Sequence, residues 1–94
     1  MFKNVSIKIN TKAAIINLLA VNFLSRAIKI YPQLAESHYN MGLALQELRR
    51  FDEAIQCYDK AIGIKPDFAE ALYNRGNLLR ELRRFDEAIQ CYDK

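Results

Sequence analysis

Between residues 51 and 64 the apolar side chains Ala54, Ile55, Tyr58, Ala61 and Ile62 recur at i, i+1, i+4, i+7 and i+8. That spacing marks one face of a helix with about 3.6 residues per turn. Asp52 and Glu53 stand in its first turn, where acidic groups complement the free backbone N–H groups. The pattern predicts a helix from about residue 52 to 64, stopped by Pro66, which lacks a backbone donor and drives Lys65 towards extended backbone. Asp67-Phe68-Ala69-Glu70 has the spacing of a capping box and predicts a following helix with Leu72, Gly76, Leu79 and Leu82 on one side. Upstream, His38, Met41, Gly42, Leu45 and Leu48 draw the same stripe. Only the short polar turns Arg49-Arg50 and Arg83-Arg84 separate the paired helices, so each pair must run antiparallel.

The pattern repeats with a period of 34 residues. Phe51 to Lys60 recurs unchanged as Phe85 to Lys94, and residues 35–60 match residues 69–94 at 20 of 26 positions. A fixed period of this length predicts an all-α solenoid of antiparallel helix-turn-helix units, each burying its apolar face against the next. The unit resembles a tetratricopeptide repeat. The residues that carry the likeness are Gly42 and Gly76 in the first helix, Ala54, Ala88, Tyr58, Tyr92 and Ala61 in the second, and Pro66 closing the unit. His38 and Leu72 depart from it by replacing the large aromatic usual near the start of the first helix. One complete repeat covers residues 35–68, and a truncated one covers residues 69–94. The resemblance implies a right-handed superhelix.

The N-terminal third follows the register loosely. Ala20, Val21, Leu24, Ala27, Ile28 and Pro32 align with Ala54, Ile55, Tyr58, Ala61, Ile62 and Pro66, so residues 13–34 read as the second helix of a degenerate repeat or as a cap. Leu18, Leu19 and Phe23 occupy positions that are Asp52, Glu53 and Cys57 in the next unit. A helix apolar nearly all round is expected to be buried on more than one side. Residues 1–12 are expected to form an irregular leader; Val5 to Asn10 alternates like a short strand with nothing to pair with.

Composition narrows the function. Ninety-four residues, 51% apolar and 27% charged, suit one folded domain and are too apolar for disorder. Residues 1–31 carry five basic groups (Lys3, Lys8, Lys12, Arg26, Lys29) and no acid, while residues 32–94 carry nine basic and eleven acidic groups. No run reaches the roughly 18 to 20 apolar residues that cross a bilayer, the longest, Ala13 to Leu24, being broken by Asn17 and Asn22. The same two residues argue against a secretory signal, so a cytoplasmic protein is expected, with a basic amphipathic membrane-surface helix or a membrane tether in residues 1–24 as the lower-ranked alternatives.

Cys57 and Cys91 are equivalent positions in stacked repeats, about 8 to 10 Å apart if helices pack normally, which is too far for a disulfide. They read as structural thiols, and His38 as a packing or hydrogen-bonding residue. No nucleophile with a partnering base, no paired catalytic carboxylates, no phosphate loop and no metal-ligand spacing is present, so neither catalysis nor a cofactor is expected. The arginine pairs, followed directly by Asp and Glu, read as solvated helix ends rather than nucleic-acid contacts.

What remains is a surface. Opposite the core stripe of the first helices lie Glu36, Tyr39, Asn40, Leu43, Gln46 and Glu47 in one copy and Glu70, Tyr73, Asn74, Asn77, Arg80 and Glu81 in the other, and of these Tyr39, Asn40, Leu43, Tyr73, Asn74, Asn77 and Arg80 are the expected peptide contacts. In the family this unit resembles, first helices line a concave groove that holds extended peptide segments of partner proteins. Asn40 and Asn74 match positions where some members carry an asparagine ladder, and an amide can pair with any peptide backbone because it both donates and accepts. A protein-interaction scaffold is therefore expected, with self-association through the open C-terminal repeat as a further route to a partner. The alternative is the substrate-recognition segment of a larger glycosyltransferase, since near-identical repeats with asparagine here are similar to the superhelix of O-GlcNAc transferases.

Overall fold

Each stretch of helical periodicity becomes a helix. The computed structural model describes residues 11–93, and its elements are α1 (Thr11–Ile30), α2 (Ala35–Glu47), α3 (Phe51–Ile64), α4 (Ala69–Glu81) and α5 (Phe85–Tyr92), with no strand among the described residues. The extensive contacts join helices consecutive in the chain, α2 with α3 most of all, then α4 with α5, α1 with α2 and α3 with α4. This nearest-neighbour arrangement defines a helical repeat solenoid. Its radius of gyration is 14.6 Å, against about 12 Å for a compact chain of this length, and its extents are 48 × 34 × 16 Å.

The buried set is the apolar stripe read from the sequence. Ala54, Ile55, Tyr58 and Ala61 of α3 are buried with Met41 and Leu45 of α2 and Leu78 and Leu79 of α4. A second cluster of Ala35, Ala61, Phe68 and Ala71 fills the space between the two repeats. Gly42 is glycine because the Tyr58 ring occupies its place: a Cβ there would stand 2.6 Å from Tyr58 Cε1. Gly76 meets Tyr92 in the same way, at 2.7 Å.

The turns inside each pair repeat to the atom. Arg49 N–H donates to the Gln46 carbonyl and Arg50 N–H to the Leu45 carbonyl, both at 2.9 Å. This is a Schellman closure, and it places Arg49, like Arg83, at φ 64°, a left-handed conformation usually held by glycine. The guanidinium of Arg49 then lies 5.2 Å from the Phe51 ring centroid, and that of Arg83 6.0 Å from Phe85. Arg50 and Arg84 each form a two-pronged ion pair with Glu53 and Glu87, at 2.7 and 2.9 Å. These hydrogen bonds hold both glutamates below the usual carboxylate range. Each of the four arginines is thus engaged within its own repeat.

Four expectations change. The capping box at Asp67 does not form: the N-cap of α4 is Phe68, with no side-chain cap bond. Asp67 sits one residue too early, and Phe68 takes the cap position because its ring is buried against Tyr39, with centroids 5.0 Å apart. The helix α1 begins at Thr11, inside the expected leader, while residues 1–10, including the strand-like Val5 to Asn10, lie outside the described residues. At 20 residues α1 is long and apolar enough to cross a membrane, against the reading from uninterrupted runs. Asn17 interrupts it less than its polarity suggests, because its amide donates to the Ala13 carbonyl at 2.9 Å within the helix. Nor is α1 buried on several sides, for none of its residues is buried.

Candidate protein-interaction face

The face is built from the first helices, α2 and α4, which hold equivalent places in successive repeats and are joined by a hydrogen bond from Asn74 to Tyr39. The seven residues expected to line it separate into two sets. Asn40, Leu43, Tyr73 and Arg80 are exposed, whereas Tyr39, Asn74 and Asn77 are half-buried. The Asn40 side chain makes no hydrogen bond within the described residues. Tyr73 remains 61% exposed.

The half-buried set is occupied by the protein itself. Asn74 Nδ2 donates to the Tyr39 hydroxyl at 2.7 Å, tying the second repeat to the first, and leaves Asn74 Oδ1 open. The Tyr39 ring packs against Phe68 and, at 6.1 Å, against Tyr58. Asn77 Oδ1 accepts from the Tyr92 hydroxyl at 2.5 Å. In the first repeat the corresponding hydroxyl, that of Tyr58, donates instead to Gln46 Oε1 at 2.7 Å. The exchange follows from two substitutions. Leu43 cannot accept where Asn77 does, and Arg80 cannot accept where Gln46 does. The acceptor therefore moves one helical turn while the tyrosine stays in place.

One residue that the sequence places on the stripe and one that it does not single out complete the frame. Gln46 lies on the polar stripe but acts inward, on Tyr58. Arg75 stands where the first repeat has the core residue Met41, and bridges repeats by donating to Asp59 Oδ1 at 2.6 Å and to Cys91 Sγ at 3.0 Å. The one signal for Arg75 was a cation at a core-stripe register position.

The charged groups flanking the stripe are Glu36, Glu47, Glu70 and Glu81, all exposed, against the single cation Arg80. His38 is 5% exposed, and its Nε2 lies 2.8 Å from the Pro32 carbonyl, which can only accept, so that nitrogen carries the proton. Both cysteines are free. Burial, and then the Glu53 carboxylate, push the Cys57 thiol up, which suppresses its thiolate.

Similarity to known proteins agrees with this geometry. The sequence profile of the tetratricopeptide repeat matches residues 35–68 and 69–94. No curated protein sequence is significantly similar to the chain. Among solved structures, a crystal structure of MamA superposes with a TM-score of 0.79 at 31% identity, over 82% of this chain and 45% of that one. A second MamA crystal structure gives 0.77 at 31% identity, over 82% and 42%, and a MamA structure from AMB-1 gives 0.73 at 26%, over 89% and 56%. The chain thus spans less than half the length of the first two. With 34-residue helical hairpins, glycines under the tyrosine rings and the profile matching both repeats, this chain belongs to the tetratricopeptide repeat family.

Proposed function

We propose that this chain is a non-catalytic protein-interaction scaffold of the tetratricopeptide repeat kind, binding an extended peptide segment of a partner along α2 and α4. The observation that carries the reading is the division of the face into Asn40, Leu43, Tyr73 and Arg80, exposed, over a frame of Tyr39, Asn74 and Asn77 locked by hydrogen bonds between and within repeats. A frame held this way costs little ordering entropy on binding. Asn40 and the open oxygen of Asn74 offer donor and acceptor groups to a peptide backbone, and Leu43 and Tyr73 offer apolar contact for alternate side chains. Four exposed glutamates around one arginine favour a segment with basic side chains.

Peptides selected on the chain from a random library should therefore be rich in lysine or arginine and perturb the amide resonances of Asn40, Leu43, Tyr73 and Arg80. Asn40→Ala combined with Tyr73→Ala should weaken a selected peptide at least tenfold, about 1.4 kcal/mol, with helicity unchanged. Selected peptides that map to other faces, or affinity untouched by the double change, would overturn the proposal.

A further inference from the structure

The helix α1 has two faces of opposite character. Towards α2 it turns a half-buried stripe that includes Asn17, Val21, Leu24 and Ile28, the last three packed against the main core. Away from α2 it exposes Ile15, Ile16, Leu18, Leu19 and Phe23, each between 52% and 73% accessible. Three exposed cations bracket this apolar band, Lys12 before it and Arg26 and Lys29 after it. None of the three forms an ion pair among the described residues, and α1 contains no acid. The ten residues that precede it add Lys3 and Lys8 and again no acid.

We infer that the outer face of α1 docks on an anionic lipid surface, with the helix lying in the plane of the headgroups. An apolar band of this kind seats at the boundary of headgroup and acyl chain, while lysine and arginine stems bend their charges out to lipid phosphates. Charge decides between a membrane and a second copy. Two α1 helices meeting antiparallel would set Lys12 against Arg26 and Lys29, and meeting parallel would set like upon like, with no acid to compensate in either case. A negative surface relieves all three at once. The helix, about 30 Å long, has the length to cross a bilayer. Crossing would strip Val21, Leu24 and Ile28 from the core they contact, whereas lying flat leaves that packing intact.

Flotation of the whole chain with vesicles of phosphatidylcholine and phosphatidylglycerol in equal parts, compared with pure phosphatidylcholine, tests this. Binding is expected on the anionic vesicles only, weakening as salt rises. The triple change Lys12→Glu, Arg26→Glu, Lys29→Glu should lower partitioning at least a hundredfold, the factor three such contacts supply. These side chains point away from the core, so circular dichroism should not change. As an independent readout, Phe23→Trp should shift its emission to the blue on anionic vesicles alone. Three results would overturn the inference: equal binding to neutral vesicles, resistance to alkaline carbonate extraction as for a spanning helix, or no flotation together with concentration-dependent dimerisation in sedimentation.

Discussion

The ten residues from Phe51 and the ten from Phe85 are identical in sequence and unequal in environment. Tyr58 is fully buried while Tyr92 is 44% exposed; Ile55 is 6% exposed while Ile89 is 55%. The first copy is covered on its far side by Leu78 and Leu79 of α4, whereas the place beside Leu72, Tyr73 and Tyr92 is an open cleft of about 510 Å³. The cysteines run the other way. Cys91 is buried and receives a hydrogen bond from Arg75, while Cys57 is half-buried, the Arg75 position in its own repeat being Met41. In a solenoid a side chain's contribution is thus set by the unit stacked on it as much as by its own unit.

Truncating the paired tyrosines would break this comparison most sharply. Tyr58→Ala should cost about 3 to 5 kcal/mol, a large share of the stability of a domain this size, whereas Tyr92→Ala should cost about 1 kcal/mol. Urea denaturation of the two variants measures both, and equal losses would mean that the open end is covered in solution.

The glycines beneath the same rings give a smaller contrast. Gly42→Ala puts a Cβ against the fixed ring of Tyr58 and should cost about 1 to 3 kcal/mol. Gly76→Ala should cost less, because the exposed Tyr92 ring can swing away and leave the Cβ of Cys91, at 3.1 Å, as a fixed tight contact. Gly63 is the control, since a Cβ added there would meet nothing within 4 Å. Gly63→Ala should stabilise α3 by about 0.5 to 1 kcal/mol. Thermal melts order the three.

The remaining effect is one of pH. Burial first, then the neighbouring Tyr39, raise the Tyr58 hydroxyl far above the usual tyrosine range. Its folded value exceeds its unfolded value of about 10, so the stability it confers is complete below pH 10 and falls above it, as the unfolded chain loses the proton first. The expected slope is about 1.4 kcal/mol per pH unit, and Tyr58→Phe should flatten it. Denaturation midpoints between about pH 9 and pH 11 read the slope, and a slope unchanged in Tyr58→Phe would assign it to another group.

The polar stripe of the first helices was legible in residue order because those helices keep their register: residues one repeat apart, such as Asn40 and Asn74, must fall on the same side of their helices. What could not be read was which of them a partner can reach. Asn74 and Asn77 look like Asn40 on a helical wheel, yet Tyr39 and Tyr92 engage them. Those contacts depend on rings from other elements, and a wheel carries no information about a facing helix. Similarly, the string Asp67 to Glu70 satisfies a local capping rule, but burial of Phe68 outweighs a single exposed cap bond.

The sequence by itself determined the helices, their antiparallel pairing, the period of 34 and the family, because each follows from spacing along one chain: apolar periodicity, short turns and a repeated unit. Only the tertiary structure decided that the outer side of α1 is left open. That side carries the same kinds of apolar residue that elsewhere form the core. Whether such a residue is core or surface depends on a neighbour packed against it from another element, and that neighbour is a property of the stack, not of the residue.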